Sequence, residues 1–432
     1  MSSWKAESSR RRVVVTGYGM VTPLGGSAEE TFERAAQGRS GIDWIKGFDT
    51  RGLPCRIGGE VDDRWIEGEG FLSRLDKCAS RGVRLMAAAA REAADQARLG
   101  EVADRSRIAV ALGTHGDNPR VGDMVFLHRF RRDDGTWDLD GLAAAGGYSF
   151  LNFYRRKPDV ASCLLARLFE CRGPNLAVVS ACAAGAQAVG EAARMIRDGV
   201  CDVALAGGAE ATLDFAGFMG FVLIKALAER YTEPQGASRP FDRKRSGFVM
   251  SEGAGALVLE GLDHARARGA DIRGEVLGYG SSADAYRITD THPRGLGAVL
   301  AMKGALQDAG LSPAAVEYIN AHGTSTTQND LTETRAVKEL LGERAYEVPV
   351  SSNKSMLGHT IAAAGAIEAV LTLMGMERSV VLPTINYEFP DKKCDLDYVP
   401  NLARRLEHSV SLSNSFGFGG QNACLCLGRF GG

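Results

Sequence analysis

The sequence of 432 residues has no long apolar run and almost no excess of charge. A helix that spans a membrane needs about 20 consecutive, mainly apolar residues, and no stretch of about 18 or more occurs. The 51 Lys and Arg residues nearly balance the 53 Asp and Glu residues, so the net charge is −2. This balance excludes a globally basic nucleic-acid binder. We therefore expect that neither a membrane nor a nucleic acid is a partner.

Patterns for disulfides and for several common active sites are missing as well. The nine cysteines are few for a disulfide scaffold, their number is odd, and none forms a CxxC pair. The phosphate loop GxxxxGK[ST], the zincin motif HExxH and the serine-hydrolase motif GxSxG do not occur. We expect reduced thiols, a cytoplasmic location and no bound metal ion.

Short β-branched runs alternate along the chain with longer Ala-rich stretches. Strands that are apolar throughout and alternate with helices indicate an α/β fold whose sheets are covered on both faces. The basic N-terminus has too short an apolar run for a signal peptide, and residues 1–11 are predicted to be a disordered tail. The predicted strands are 13–17, 108–113, 176–181, 202–208, 255–261, 316–322, 348–353 and 424–428, and the predicted helices are 82–98, 183–198, 295–309, 331–341 and 360–376.

A faint internal repeat indicates two similar units. The segment IAVALGTHGDN (108–118) resembles VEYINAHGTSTTQND (316–330). A second pair, LAVVSACAAGAQAVG and VPVSSNKSMLGHTIAAAG, follows in the same order, and each member is a strand that leads to a helix rich in Ala and Gly. Two units of one design in one order indicate duplication. We place the halves at 12–270 and 271–432.

Cys182 lies in VVSACAAG, after a predicted strand and at the start of a predicted helix. The helix dipole and the free backbone N–H groups at such a position favour a thiolate. The neighbours Ala181, Ala183 and Gly185 are small enough for a substrate to approach closely. Cys182 is therefore a candidate nucleophile, and a cysteine that only fills a buried strand–helix corner is the alternative.

Two histidines lie at comparable turns. His322 follows a predicted strand in NAHGTST, and His359 begins the second Ala-rich helix in SNKSMLGHT, with Lys354 shortly before it. In the repeat, His359 mirrors Cys182. A helix N-terminus disfavours imidazolium, so we expect His359 to be neutral. The alternatives are a turn histidine satisfied by its own loop and a helix-capping histidine beside a solvated lysine.

A glycine loop, NSFGFGGQN (414–422), does not lead from a strand into a helix and is a poor phosphate loop. It suits a turn whose amides approach a substrate. Together, these segments resemble the β-ketoacyl-[acyl-carrier-protein] synthases, condensing enzymes of the thiolase superfamily, and the type II enzymes in particular. The resemblance extends over nearly the whole chain, through SACAAG, GGAEA, SRPFD, GFVMSEGAGALVLE, SSADAY, NAHGTST, SNKSMLGH and SNSFGFGG.

The resemblance implies a thiolase-like α/β fold, in which two duplicated halves form a five-layered αβαβα structure, usually in a homodimer. It implies a decarboxylative Claisen condensation of an acyl thioester with malonyl-ACP through an acyl-cysteine, in fatty-acid or type II polyketide or polyene synthesis. Acyl carrier protein would be the partner, acyl-ACP and malonyl-ACP the substrates, and the enzyme itself would bind no cofactor.

The roles of single residues also follow from the resemblance. The backbone N–H groups of Cys182 and Phe418 would bind the acyl oxyanion, and His322 and His359 would stabilise the enolate. Lys354 and Glu368 would form an ion pair that orients the histidines. The remaining assignments are Asp330 and Glu333 as braces of the His322 loop, Thr289, Thr324 and Thr326 as contacts of the phosphopantetheine arm, Phe221 with Phe418 as the gate of the acyl pocket, and Lys225 and Arg74 as the docking site of the carrier protein.

Residues 115–160 depart from the family pattern. They combine charge with poor periodicity and seven aromatics, and a segment this long without regular elements is functional or an interface. We expect the aromatics to be covered by the chain's own core, a partner subunit or a substrate. An ordinary dimer contact and a specialised acyl pocket are both open. The aromatics are Phe126, Phe130, Trp137, Tyr148, Phe150, Phe153 and Tyr154.

Other functions remain as alternatives. The chain could be the ketosynthase half of a heterodimer with a chain-length-factor partner in secondary metabolism. A non-catalytic partner subunit typically lacks the reactive cysteine, which is present here. A thiolase that acts on coenzyme A would need a second catalytic cysteine in a CxG turn near the C-terminus, whereas Cys424 and Cys426 lie in a strand pattern.

Overall fold

Buried apolar strands and Ala-rich helices alternate through the computed structural model, which describes residues 10–67, 75, 79–116, 121–148 and 150–431. The strands are β1 (Val13–Val21), β2 (Asp43–Trp44), β3 (Ile57–Gly58), β4 (Ile108–Gly113), β5 (Asn175–Val178), β6 (Val203–Glu210), β7 (Gly253–Gly261), β8 (Gly274–Ala283), β9 (Tyr318–Asn320), β10 (Val350–Ser351), β11 (Val380–Val381), β12 (Arg404–Arg405), β13 (Val410–Gly417) and β14 (Gln421–Gly428).

The helices follow the apolar periodicity of the sequence and several begin at side-chain caps. The Ser80 hydroxyl, for example, accepts a hydrogen bond from Val83 N–H at the start of the second helix. The helices are α1 (Ala28–Ala36), α2 (Arg81–Gln96), α3 (Val121–His128), α4 (Leu139–Ala145), α5 (Phe150–Tyr154), α6 (Asp159–Leu168), α7 (Ala184–Arg197), α8 (Phe215–Leu223), α9 (Leu262–Ala267), α10 (Leu296–Ala309), α11 (Thr327–Leu341), α12 (Lys354–Leu357) and α13 (Ala364–Arg378).

Ten of the strands form one hydrogen-bonded sheet with an internally repeated topology. Its order is β10-β9-β13-β14-β8-β1-β7-β6-β4-β5. The sheet consists of two units of five strands that meet where β1 lies beside β8. The first unit runs outward from there as β1-β7-β6-β4-β5 and the second as β8-β14-β13-β9-β10. Numbered by their order in the chain, the strands of both units follow one pattern, namely first, fifth, fourth, second, third. The two units join through only two residue pairs, Val14 with Glu275 and Val15 with Gly274. The topology thus repeats in the order that the sequence repeat predicted.

The helices complete five layers. α7 and α13 lie in the middle, where their buried side chains pack with strands of both units. α2 and α6 cover the outer face of the first unit, and α10 and α11 cover the outer face of the second. The predicted α/β architecture in five layers is therefore present. The division at residue 270 stays a proposal, in keeping with the position of β8 as the first strand of the second unit.

The repeat also corrects one correspondence drawn from the sequence. Cys182 is the middle residue of a 3-10 turn, Ala181–Ala183, that leads into α7. The equivalent turn before α13 is Ile361–Ala363, so the counterpart of Cys182 is Ala362 and not His359. The sequence comparison was misaligned because α12 is inserted after β10, whereas no helix separates β5 from the Cys182 turn.

The divergent segment 115–160 forms short helices on the surface instead of irregular loops, with α3, α4 and α5 inside it and α6 beginning at its end. Trp137 and Phe153 are each 48% exposed, so this chain alone does not cover them. Phe126 and Phe130 pack against each other, with ring centroids 5.2 Å apart.

Some predictions lie outside the described residues. Residues 1–9 of the predicted tail and Arg74 are among them, whereas Arg10 and Arg11 form ion pairs with Asp308 and Asp202. Within the described ranges, no helix combines the length and the apolar character that a bilayer span requires.

Candidate active site

Three parallel strands of the first unit end at one edge of the sheet, and Cys182 follows the outermost of them, β5. Cys182 is 5% exposed, and the residue before it, Ala181, has a left-handed backbone (φ 48°). Such a conformation costs of the order of 1–3 kcal/mol for a residue other than glycine and is concentrated at functional turns. The turn aims the thiol into the molecule, toward the second unit.

The three residues selected from the sequence converge. A ligand atom of each of Cys182, His322 and His359 lies within 4.8 Å of the others, and all three side chains are buried. The two imidazole rings meet edge to face, with centroids 5.2 Å apart. Within the described part of the chain, this trio is also the one group of His, Cys, Asp or Glu side chains that could converge on a metal ion. The absence of a metal stays a prediction.

Burial controls the protonation of Cys182. It raises the pKa of the thiol to about 11, and this effect exceeds the lowering by the Phe418 backbone N–H and by the charge of Lys354. The predicted resting thiolate is therefore wrong for the free site, because desolvation of the sulfur outweighs the helix N-terminus. The backbone N–H groups of Phe418 and of Cys182 itself both lower the pKa of this thiol, so they lie close enough to stabilise a negative charge there. They are the two donors expected to bind an acyl oxyanion.

His359 is neutral, and its proton lies on Nε2. Burial, followed by the nearby Lys354 charge, lowers its pKa well below 6.5. The Ile361 backbone N–H donates to Nδ1 over 3.3 Å, so Nδ1 accepts and Nε2 carries the hydrogen. This arrangement presents an N–H donor from His359 to a ligand beside Cys182.

His322 is held through its backbone. The His322 and Gly323 N–H groups each donate to one carboxylate oxygen of Glu333, both over 2.8 Å. Burial, then the charge of Lys354, lowers the pKa of His322 well below 6.5. Asp330 accepts from Phe241 N–H over 2.7 Å and lies 3.6 Å from the Arg245 guanidinium. Glu333 thus holds the backbone of this loop directly, and the role of Asp330 as a second brace stays a prediction.

Lys354 and Glu368 form the expected ion pair, with both side chains buried. Burial raises the pKa of Glu368 to about 7, and the lysine charge opposes that rise. The pair lies close enough to both histidines for the lysine charge to lower their pKa values. It therefore acts on the histidines electrostatically.

We predict that Lys354→Met lowers the free energy of unfolding by about 3–5 kcal/mol, because it leaves the Glu368 carboxylate buried without its partner. The double variant Lys354→Met/Glu368→Leu should lose much less. Denaturant unfolding of the wild type, both single variants and the double variant measures the coupling. Equal losses in Lys354→Met and the double variant would contradict the prediction.

A narrow pocket leads from the surface to Cys182. Thr289, Thr324 and Thr326 line it, together with Ile288 and Gln328. The Thr324 and Thr326 hydroxyls lie 3.0 Å apart. All three threonines assigned to the phosphopantetheine arm therefore face one passage that ends at the thiol.

Aromatic side chains contact one another beside this pocket, which Phe248 and Phe418 line. The Phe221 and Phe418 rings stack with centroids 6.3 Å apart, and Phe221 also meets Phe248 edge to face at 5.4 Å. Phe248 in turn contacts the His359 ring. Phe248 was not selected from the sequence, because a single phenylalanine in a Gly-rich segment carries no signal.

Lys225, one of two predicted docking residues, is exposed just after α8, beside the exposed Leu223 and Ile224.

Two further charged residues near the site were missed in the sequence. His115 Nδ1 lies 2.7 Å from Oε2 of the buried Glu210. The repeat could have indicated His115, since it aligns HG at 115–116 with HG at 322–323.

Comparison with known proteins identifies the family. Residues 10–265 match the model "Beta-ketoacyl synthase, N-terminal domain", and residues 273–388 match "Beta-ketoacyl synthase, C-terminal domain". The chain belongs to the β-ketoacyl synthase family. It is an acyltransferase of the condensing-enzyme type, a β-ketoacyl-[acyl-carrier-protein] synthase of fatty-acid or polyketide synthesis.

Its relatives match over nearly their full length. The chain is 43% identical to 3-oxoacyl-[acyl-carrier-protein] synthase 2 of Synechocystis sp., covering 98% of this chain and 100% of the relative. It is 39% identical to the enzyme of the same name from Coxiella burnetii, covering 97% and 99%. The resemblance drawn from the motifs is thus confirmed.

Solved structures confirm the thiolase-like fold of ketosynthases. A type II polyketide ketosynthase, in complex with its acyl-carrier protein and bound to the hexaketide, has a TM-score of 0.86 at 34% identity, covering 98% of this chain and 100% of that one. The ishigamide ketosynthase/chain length factor has a TM-score of 0.83 at 35% identity, with the same coverage of both chains.

Proposed function

We propose that Cys182 is the nucleophile of a two-stage condensation. In the first stage, its sulfur attacks the thioester carbonyl of an acyl-carrier protein, and the thiol proton goes to the departing pantetheine sulfur. Because burial keeps the free thiol protonated, the thiolate forms as part of this transfer. The Cys182 and Phe418 N–H groups stabilise the oxyanion, as preorganised donors do in acyl transfer.

In the second stage, His322 and His359 bind the thioester oxygen of malonyl-carrier protein. Loss of CO2 leaves an enolate, and the N–H donors stabilise its charge. The enolate carbon attacks the acyl-cysteine, which forms the new carbon–carbon bond and releases Cys182. Two neutral imidazoles suit this role, and their lowered pKa values support the assignment. The convergence of Cys182, His322 and His359 carries the proposal.

Intact-mass measurement tests the first stage and the substrate together. The chain is incubated with carrier proteins that carry saturated, polyenoyl or aryl chains, and the mass of one acyl group on Cys182 is expected for the accepted chains. A chain that gains no acyl mass from any member of the panel would contradict the proposal. It would instead support a non-catalytic partner subunit, the alternative that the presence of Cys182 disfavours.

The carrier protein is proposed to dock near Lys225. We predict that Lys225→Glu raises KM for carrier-bound substrates but not for a small acyl-thioester mimic, because only the carrier contacts this surface. The matched control is Lys303→Glu, which makes the same charge change at an exposed position of α10. Equal effects on both substrates, or equal effects of both variants, would argue against docking at Lys225. Arg74, the other proposed docking residue, lies outside the described residues.

A subunit partner is proposed at the edge strand β5. Among the strands that the structure describes, none lies on one of its sides, and Leu176 and Val179 are 37% and 54% exposed. Open apolar edges favour pairing with another chain. None of the described aromatics of 115–160 lines the pocket at Cys182, which favours an interface over an acyl pocket for that segment.

We predict that Leu176→Lys shifts a dimer to monomers, because a charge at an apolar edge opposes pairing. Light scattering measures the molecular mass, and Lys303→Glu is again the control. A homodimer and a heterodimer with a chain-length-factor-like subunit are distinguished by whether the purified chain dimerises alone. A dimer that Leu176→Lys leaves intact would contradict the proposed edge.

Two further proposals concern the cofactor and the cellular location. The carrier's phosphopantetheine brings the substrates, and no cofactor of the enzyme itself is proposed. A cytoplasmic location agrees with the eight cysteines that the structure describes, all of which are free thiols.

A further inference from the structure

The two halves of the fold place equivalent positions around two sites, of which only one contains Cys182. His115 and His322 each follow the second strand of their unit by two residues. Glu210 is the last residue of β6, the fourth strand of the first unit, and Gly417 is the last residue of β13, the fourth strand of the second. Each pairs with the first residue of the fifth strand of its unit. The counterpart of Phe418 is therefore Ala211. Because Ala362 is likewise the counterpart of Cys182, these equivalent positions define a second site of matching backbone geometry.

In the second site, the two backbone N–H groups that match the oxyanion donors of the first site bind the carboxylate of Glu210. The backbone N–H of Ala362 donates to Glu210 Oε2 over 3.3 Å, and that of Ala211 donates to Oε1 over 3.1 Å. These two N–H groups are the counterparts of the Cys182 and Phe418 N–H groups. The Glu210 side chain is 1% exposed, and its charge faces His115 over 2.7 Å. The chain thus fills its own second oxyanion hole.

The turn that Glu210 holds is also the turn that orients His359. Ile361, between His359 and Ala362, has a left-handed backbone (φ 41°), and its N–H donates to His359 Nδ1. Strained residues persist where their surroundings hold them in place. Glu210 reaches this turn from β6 in the other half, so it ties the His359 turn to the unit that carries Cys182.

We propose that Glu210, with His115 as its counterion, is the positioning residue that holds the His359 turn and so keeps Nε2–H directed at the substrate. This inference rests on the proposed role of His359 in enolate stabilisation. Loss of Glu210 should release Ala362 N–H and the strained Ile361, and the His359 donor should then point less accurately. The oxyanion donors at Cys182 belong to other turns and should stay in place.

The expected effect is a split between the two half-reactions. Glu210→Ala should lower malonyl-carrier decarboxylation by about tenfold or more, the effect of losing about one hydrogen bond in the transition state. Acylation of Cys182 should change by less than about threefold. Burial raises the Cys182 pKa and the Glu210 charge adds to that rise, so removing the charge gives no reason for slower acylation.

Sodium formate provides a readout that a general loss of stability would not move. In Glu210→Ala the two backbone N–H groups face a space that a small carboxylate fits, so formate should restore part of the decarboxylation rate. Glu210→Gln, with one acceptor oxygen in place of two, should fall between the wild type and Glu210→Ala. It also carries the test if the alanine variant does not fold. His115→Leu should lose more than His115→Gln, which can still donate to Glu210.

Two controls separate the explanations. Glu260→Gln alters another buried carboxylate that pairs with a histidine, His264, at 2.8 Å. Glu260 is opposite Val203, at the far end of the β6–β7 pair from Glu210. This variant should leave the ratio of the two half-reactions unchanged. His359→Ala in the same assays tests the underlying function: decarboxylation that survives this variant overturns the role of His359. The positioning role alone is wrong if His359→Ala loses decarboxylation but the Glu210 variants keep it. It is also wrong if the Glu210 variants lose both half-reactions equally and formate restores neither.

Discussion

Cys182→Ala is expected to abolish both acyl loading and condensation. The thiol is the proposed nucleophile and lines the pocket, and the backbone N–H groups of Phe418 and Cys182 lie close enough to lower its pKa. An alanine methyl group can form no thioester, so no residual pathway through the acyl-enzyme exists. Intact mass after incubation with an acyl-carrier protein measures loading, and product formation measures condensation.

Cys163→Ala is the matched control for this experiment. Cys163 is an exposed free thiol on α6, whereas Cys182 is buried. The control variant should load acyl groups as the wild type does, which would show that accessibility alone does not select the acylated cysteine. Acylation of another cysteine in Cys182→Ala would refute the assignment of the nucleophile.

The sequence predicted which candidate catalytic residues converge better than it predicted their electrostatics. Cys182, His322 and His359 each follow a strand or begin a helix, and such ends meet at one edge of an α/β sheet. Their convergence could therefore be predicted. The protonation of Cys182 could not, because its burial depends on how residues of both halves pack around the thiol, and this burial raises its pKa.

Most of the sheet was also predictable, since its strands are apolar throughout. β13 was missed because Ser411, Ser413 and Ser415 alternate along it, although all three are buried. A polar strand inside a protein has no distinguishing pattern in one sequence. The short helices α3 to α5 were missed for a different reason. Several of their described apolar side chains, such as Val125 and Leu139, are exposed in this chain, which is typical of a surface that another subunit covers.

The structural equivalence of Cys182 and Ala362 shows why a structure is needed to align a repeat found in the sequence. Thr360-Ile361-Ala362 corresponds to Ser180-Ala181-Cys182 in backbone conformation, with left-handed residues at Ala181 and Ile361. Duplication left two similar turns, and one of them acquired the thiol. The other turn binds Glu210 and is preceded by His359. The candidate site thus contains Cys182 from one of these turns and His359, which immediately precedes the other.

The histidines are expected to govern the second half-reaction. His322→Ala and His359→Ala should each lower malonyl-carrier decarboxylation by about 10²–10³-fold, the usual loss for one preorganised oxyanion donor. Acyl loading should fall much less, because its oxyanion is bound by backbone N–H groups. CO2 release from malonyl-carrier protein and the rate of mass gain on Cys182 measure the two steps separately.

The pH dependence of the wild-type enzyme gives an independent check on the same assignment. A histidine acts as an uncharged donor only while its ring is neutral, so protonation at an ordinary pKa would change the decarboxylation rate near pH 6.5. Burial and the Lys354 charge lower the pKa of both rings well below 6.5, and they therefore stay neutral as the pH falls from about 8 to 6.5. The two rings should accordingly contribute no change in the decarboxylation rate over this interval. A change centred near pH 7 is instead expected to come from Glu368, whose pKa burial raises to about 7, and it should disappear in Glu368→Gln. A step centred near pH 6.5 that vanishes in His359→Ala, or equal losses of loading and decarboxylation in both alanine variants, would contradict the proposed division of labour.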